Sequence, residues 1–254
     1  MTLNCSIGEG RLGILGGMGS EATAYFLRTL AQRSQATSDQ EHIPFVLLSC
    51  PEIPDRSSAM EAGTVDVPSI IRSRLEQLED AGCGAVAIPC NTAHYWRRDF
   101  ASSLQIPLID MVSATAQHAA RLGARSAIVL GTRSTMKHRL YGDSLEKLCI
   151  RLMDVEEATI RATGCAIALA KSGDPDSSWK QLAHALHACR ALHPDVIILG
   201  CTELPMVVPP GTMAVDLVDS DACLADACVR WWQSLSTGVE EPDIQFSEEI
   251  ANEP

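Results

Sequence analysis

The feature that most constrains this chain is that it repeats itself. "LGILGG", ending at Gly17, is echoed by "AIVLGT", ending at Thr132. "VAIPCNT", around Cys90, is echoed by "IILGCTE", around Cys201, and "IPLIDMV", around Asp110, by "MAVDLVD", around Asp216. The three matches keep the same order and lie roughly 110 residues apart, as in a duplicated supersecondary unit. Each piece is a short apolar run closed by glycine, proline or a polar residue, which reads as a buried parallel strand. A further run, "PFVLLSC", has the same character, and polar helical stretches separate them all. The alternation predicts an α/β fold of two pseudo-symmetric lobes, each a mainly parallel sheet flanked by helices, with the active site in the cleft between them. The first lobe is expected to comprise 1–110 together with 217–240, and the second 111–216. The helix around "ADACVRWWQSL" should therefore return to the first lobe. Residues 241–254 are acidic and lack periodicity, which reads as a loose tail.

The repeat changes how Cys90 reads. Alone in "GAVAIPCNTAH" it would pass as a small buried hydrophobe. A filler has no reason to recur, as Cys201, at the same strand-to-helix corner of the other half. Such corners lie at the carboxyl ends of strands, where open α/β sheets bind ligands, and a helix amino terminus lowers a thiol's pKa from its ordinary ~8.5. Two thiols on opposite sides of a cleft suit the inversion of a stereocentre. One, as thiolate, removes a proton from one face; the other, as thiol, returns one to the opposite face, and the roles exchange for the reverse reaction. A carbon acid next to an amine and a carboxylate is weak. Amides at helix starts, and exclusion of water, must stabilise the carbanion. Asn91 with Thr92, and Thr202 with the amides after it, are placed for this.

Composition excludes other classes. Acidic residues outnumber basic ones 32 to 20, a net charge of −12, which is wrong for a nucleic-acid footprint but tolerates one or two cations placed locally for an anionic small substrate. No apolar run approaches the ~20 residues of a membrane span, and the first residues lack a basic start followed by an apolar stretch. A cytoplasmic protein without nucleic-acid or membrane partners is expected, with its ten cysteines mostly reduced. The nearest approach to a metal set, His184, His187 and Cys189 in "HALHAC", reads as a helix surface, so no metal is expected.

"GILGGMGSEAT", "PEIPDRSS", "PCNTAH", "LGTRSTM" and "GCTEL", in this order, resemble the aspartate/glutamate racemase family of cofactor-independent amino-acid racemases. The resemblance implies that Cys90 and Cys201 are the catalytic acid/base pair. It implies substrate contacts at Met18, Arg56, Asn91, Thr92, Thr132 and Lys171, and a Glu203 that orients or tunes the second thiol. It also implies a small amino-acid substrate, no pyridoxal phosphate or metal, and a homodimer. Two positions depart from the family pattern. Ser20 replaces the usual proline at a helix start, where serine also serves. Glu52 stands where an uncharged residue such as glutamine is expected. Paired with Arg56, Glu52 would orient it, leaving Arg56 and Lys171 to hold an acidic side chain, so aspartate or glutamate is the expected substrate; pointing into the cleft, Glu52 would instead repel such a side chain and favour a neutral or basic one.

A rival reading takes Gly17-x-Gly19-x-x-Ala22 as a dinucleotide-binding turn, with Asp39 for the ribose, in an oxidoreductase. The paired cysteines then go unexplained. A related cysteine-dependent isomerase or decarboxylase on the same fold usually carries a different residue at one corner. His94 reads equally as polar help at the site or as a capping group. Trp231 and Trp232 read as packing or a dimer contact, Cys223 and Cys228 as core, and Cys50 as a cleft residue without a catalytic role.

Overall fold

A computed structural model describes residues 10–63, 66–212 and 216–237; the tail expected at 241–254 lies outside them. The first half runs β1 (Leu12–Gly16), α1 (Ser20–Arg33), β2 (Phe45–Ser49), α2 (Arg56–Ala62), α3 (Val67–Asp80), β3 (Ala85–Ala87), α4 (Arg97–Ala101) and β4 (Leu108–Ile109). The second runs α5 (Met111–Arg121), β5 (Ser126–Gly131), α6 (Arg133–Lys137), α7 (Gly142–Lys147), β6 (Arg151–Leu152), α8 (Glu157–Lys171), α9 (Pro175–Arg190), β7 (Val196–Gly200), α10 (Leu204–Val207), β8 (Leu217–Asp219) and α11 (Ser220–Thr237). The strands form two sheets of identical order, β2-β1-β3-β4 and β6-β5-β7-β8. All pairings are parallel, with Leu12 opposite Ala85 in one sheet and Ala127 opposite Val196 in the other. The central strands β1, β3, β5 and β7 are buried throughout, as strands covered by helices on both faces must be. β2, on an edge, alternates exposed with half-buried residues.

The third echo needs a correction of register. Asp110 caps α5 by accepting from the amides of Val112 (2.7 Å) and Ser113 (3.3 Å). The residue that does this for α11 is Asp219, accepting from Asp221 (2.8 Å) and Ala222 (3.3 Å). Asp216 instead pairs with Arg190 through Nε at 2.8 Å and Nη2 at 3.1 Å. "VDLVD" carries two aspartates, and only the cap geometry distinguishes them.

Four apolar clusters, two to a sheet, make the core. Leu15, Val86 and Leu108 pack on Ile71, Leu75 and Leu78 of α3. On the opposite face Leu12, Ile14 and Ala85 meet Phe26 of α1 and Leu224, Cys228 and Trp231 of α11. In the second sheet Ile128, Leu130 and Ile197 pack on α8 and α9 through Ile167, Leu182 and Leu186. Its other face, Ala127, Val129 and Val196, meets Val112, Ala116 and Ala119 of α5, with Cys223 of α11 in the same cluster. The closing helices are thus exchanged: α5 follows the first sheet and covers the second, and α11 follows the second and covers the first. Cys223, Cys228 and Trp231 are core residues.

Strand order reverses between β1 and β3 and between β5 and β7. In open α/β sheets, ligands bind at the carboxyl ends of strands flanking such a reversal. The loops there begin at Gly17, Ile88, Thr132 and Cys201, so both cysteines stand where the topology puts binding sites. Gly17 has φ +89°, and a Cβ there would lie 2.4 Å from the Cys50 amide nitrogen, so only glycine lets this turn close on β2. No helix among the described residues is long and apolar enough to cross a membrane.

Candidate active site

Cys90 and Cys201 line one cleft between the two sheets, together with Met18, Asp55, Arg56, Ser57, Asn91, Thr92, Thr132, Lys171, Thr202 and Glu203. Of the expected substrate contacts, only Glu52 is absent. The cavity they leave is about 20 Å³, room for roughly one water.

Each side chain is set by its own corner. The Cys201 sulfur donates to Glu203 Oε2 at 3.0 Å, and Thr202 Oγ1 donates to the same oxygen at 3.1 Å. Burial pushes the Cys201 thiol well above its ordinary value, and the Glu203 charge pushes it further, so it rests as the thiol. The other Glu203 oxygen, Oε1, lies 3.8 Å from Lys171 Nζ. Lys171 ends α8 with its side chain 42% exposed, reaching the cleft mouth.

On the first-lobe side, Cys90 is followed by a short 3-10 turn, Thr92–Trp96, and then by α4. His94 in that turn is fully buried. Its Nδ1–H donates to the Cys90 carbonyl at 2.9 Å, while Nε2 accepts from the Met111 amide at 3.3 Å. Burial lowers its pKa, outweighing the opposing pull of Asp110, so the ring is a neutral strut between the Cys90 corner and α5. Neither role expected for His94, polar help in the cleft or a surface cap, is what it does.

The two corners are stitched across the cleft. Thr92 Oγ1 lies 3.1 Å from Thr132 Oγ1 and 3.3 Å from Thr135 Oγ1, and Thr132 Oγ1 also accepts from the Thr135 amide to cap α6. The Asn91 side chain donates to Ser220 Oγ at 3.0 Å and accepts from the Tyr141 hydroxyl. Asn91 therefore ties the lobes together while keeping a second N–H free of those two bonds.

Arg56 is buried and donates from Nη2 to the Met18 carbonyl at 2.8 Å and from Nη1 to the Ile53 and Pro54 carbonyls at 3.3 and 3.2 Å. Its Nε has no partner. The neighbouring Asp55 carboxylate caps α2 through the Ser58 amide at 2.9 Å and also lines the cleft. The expected partner, Glu52, lies outside the cleft. It points to solvent and approaches Arg74 Nη2 of α3 at 3.4 Å. Glu52 lies before the α2 corner and Arg56 on its first turn, so the backbone sends their side chains apart. Cys50 is buried beside Gly17 and does not line the cleft. Asp55 and Ser57 do line it and were not anticipated; their place in "IPDRSS", on either side of Arg56, was the available signal.

The dinucleotide reading fails on geometry. Asp39 lies in a 3-10 turn, Asp39–Glu41, that precedes β2, whereas a ribose-binding acid belongs after that strand. A Cβ on Gly19 would lie 3.1 Å from Glu203 Oε1, so a carboxylate occupies the space above the turn that a pyrophosphate would need. His184 and His187 of α9 face solvent while Cys189 is buried, so they do not converge.

The family model described as Asp/Glu/Hydantoin racemase matches residues 15–228. The broad specificity amino-acid racemase RacX of Bacillus subtilis (strain 168) is 27% identical over 86% of this chain and 96% of its own. Among solved structures, the aspartate racemase of Picrophilus torridus superposes with a TM-score of 0.80 at 26% identity, covering 94% of this chain and 97% of that one. An aspartate racemase homologue from Pyrococcus horikoshii OT3, at 21% identity with a TM-score of 0.73 over 88% and 99% of the two chains, shares the fold.

Proposed function

Because this chain belongs to the Asp/Glu/Hydantoin racemase family and is an amino-acid racemase, we propose that it interconverts the enantiomers of aspartate or glutamate through Cys90 and Cys201. The observation that carries the reading is that the two cysteines, one from each half of the repeat, line the same cleft. In one direction a Cys90 thiolate removes the α-proton and the Cys201 thiol, resting on Glu203, delivers one to the opposite face. The products are the inverted carbon, a Cys90 thiol and a Cys201 thiolate, so the reverse reaction starts from the exchanged state. No charge is left over, and these steps call on no group outside the chain.

The acidic substrate is supported by the cations of the cleft. Arg56 is buried against three carbonyls and keeps an unpartnered Nε, which a substrate carboxylate would take, while the Asp55 carboxylate in the same cleft caps α2. Lys171 supplies a second, more mobile cation at the mouth. Since Glu52 faces Arg74, its charge does not oppose an acidic side chain. A reduced, cytoplasmic setting belongs to the same reading, because either thiol once oxidised cannot carry a proton. So does a homodimer, for which the half-exposed Phe45 and Leu47 on the edge strand β2 offer an apolar contact.

The test is incubation in deuterated water with each common L- and D-amino acid, reading α-proton exchange and chirality together. Cys90→Ala and Cys201→Ala should each abolish racemisation, while one-sided exchange survives from a single enantiomer. Full racemisation in either variant would refute the two-thiol assignment. Arg56→Ala should lower aspartate turnover selectively, since leaving a buried carboxylate unpaired costs about 3–5 kcal/mol. Faster turnover of lysine than of aspartate would overturn the acidic substrate alone.

A further inference from the structure

The two sheets share a strand order but differ at one edge. β2 runs beside β1 from Leu12 to Gly16, whereas β6 pairs only with Ser126 and Ala127 of β5. Beyond that point the chain leaves the sheet, and a cavity of about 70 Å³ lies beside Val129. None of the residues that line it lines the cysteine cleft.

The interior of this cavity is aliphatic. Val129, Leu140, Leu152, Val155 and Ile160 line it, with the thioethers of Met136 and Met153. Val129 and Leu140 are buried, but Leu152, Met153, Val155 and Ile160 are only half-buried, so apolar surface stays wet that a ligand's hydrocarbon would dry. A dry cavity of ~150 Å³ takes a benzene ring, so this one suits a chain of roughly three or four carbons. The rim is charged. Arg139 Nη1 donates to Asp154 Oδ1, and Arg139 Nη2 donates to the Leu152 carbonyl at 3.2 Å. Those bonds use two of the five guanidinium N–H groups and one of the two carboxylate oxygens. With side chains 48% and 83% exposed, the ion pair is worth little by itself, and a bound zwitterion can join both partners. A cation and an anion side by side above an aliphatic interior match one ligand chemistry, an α-amino acid with a branched aliphatic side chain.

We propose that this cavity is a second amino-acid site, separate from the cysteine cleft, that takes a branched aliphatic side chain inside and holds the carboxylate at Arg139 and the ammonium at Asp154. Its far wall reaches the cleft. Thr135 and Tyr141 line the cavity, and they also bond across the cleft, Thr135 to Thr92 at 3.3 Å and Tyr141 to Asn91. A side chain packed against both holds the second lobe's half of those bonds in place. On the racemase reading, on which this coupling rests, substrate enters between the same corners, so occupancy slows its turnover.

Methionine labelling with 13C-methyl groups in the full-length protein separates the two sites, because Met136 and Met153 line the cavity and Met18 lines the cleft. L-Valine should shift the Met136 and Met153 resonances to saturation without moving Met18, and saturating L-aspartate should not displace it. Isovalerate, which lacks the ammonium, should need about fivefold more, the upper end for an exposed charge contact. Arg139→Gln and Asp154→Asn should each raise the L-valine midpoint by a similar factor. Asp154→Asn alters a side chain that is 83% exposed, so it tests the rim even if Arg139→Gln does not fold. Valine that moves only Met18, silent Met136 and Met153, a midpoint unchanged in both variants, or isovalerate binding as tightly as valine would each overturn the site. L-Valine should also slow aspartate turnover in the wild type and not in Arg139→Gln; equal slowing in both would overturn the coupling. The binding measurements need no turnover, so a chain that takes valine at Met153 yet leaves aspartate unchanged would refute only the function proposed above.

Discussion

Single residues at this cleft are defined less by what they touch than by the charge they are permitted. Asp221 shows this in stability. Its folded-state pKa is raised, by burial and then by Asp219 and Glu203, above the 3.8 of an ordinary carboxyl. Between those two values the folded chain holds a proton that the unfolded chain has released, so stability falls as pH rises through that window. Asp221→Asn cannot ionise and lacks this slope. The melting temperature of Asp221→Asn minus that of the wild type should therefore grow from acidic to neutral pH. Thermal denaturation of both proteins across that range checks it, and a constant difference would mean that Asp221 is already ionised in the folded state.

At the scale of elements, the corner after β3 is held by a charged cap. Asp110 caps α5, lies 3.1 Å from Arg97 Nε of α4, and has His94 Nε2 at 4.0 Å, all three being buried. Removing one member leaves a buried guanidinium facing bare helix amides. Asp110→Ala should cost about 3–5 kcal/mol, measured by urea unfolding at equilibrium. Asp110→Asn, which keeps the capping oxygen, should cost less. How much of this was legible beforehand depended on whether a residue's task leaves a mark along the chain. The central strands did, because burial on both faces demands apolar runs such as the "AIVL" of Ser126–Gly131. β6 did not, since Arg151–Leu152 is a two-residue edge strand whose pairing with β5 comes from its position. The cysteine corners were visible because they recur. Glu52 was misread because adjacency to Arg56 along the chain says nothing about which way a turn sends each side chain. Asp221 was invisible: "DSD" before a helix reads as an exposed cap, and only three-dimensional packing shows that one of its aspartates caps while the other is enclosed.

For the whole molecule, the governing quantity is how tightly the two lobes meet. The bonds from Thr92 to Thr132 and Thr135, from the Tyr141 hydroxyl to Asn91, and from Tyr25 Oη to Asp219 at 2.8 Å all join elements of the first sheet to those of the second. They draw the cleft in to a narrow space of about 20 Å³. On the proposed racemisation, the corners part to admit substrate and reclose over it, which would exclude water from the reacting carbon. Saturating aspartate should slow amide hydrogen exchange at 88–96 and 131–139 and leave the centres of α3 and α9 unchanged. Uniform slowing over both lobes, or none at the corners, would contradict a local gate.

The exchanged helices have a bearing on ancestry. Because α5 covers the sheet it does not follow, and α11 does the same in return, half of this chain would expose a bare sheet face and an unpartnered helix. Two copies of such a half would cure each other, each lending its last helix to its twin, and their shared cleft would already hold a pair of cysteines. In such a pair both thiols would have identical neighbours. Once one gene encoded both halves, a glutamate was free to settle beside one sulfur and not the other, and the two corners no longer had to match.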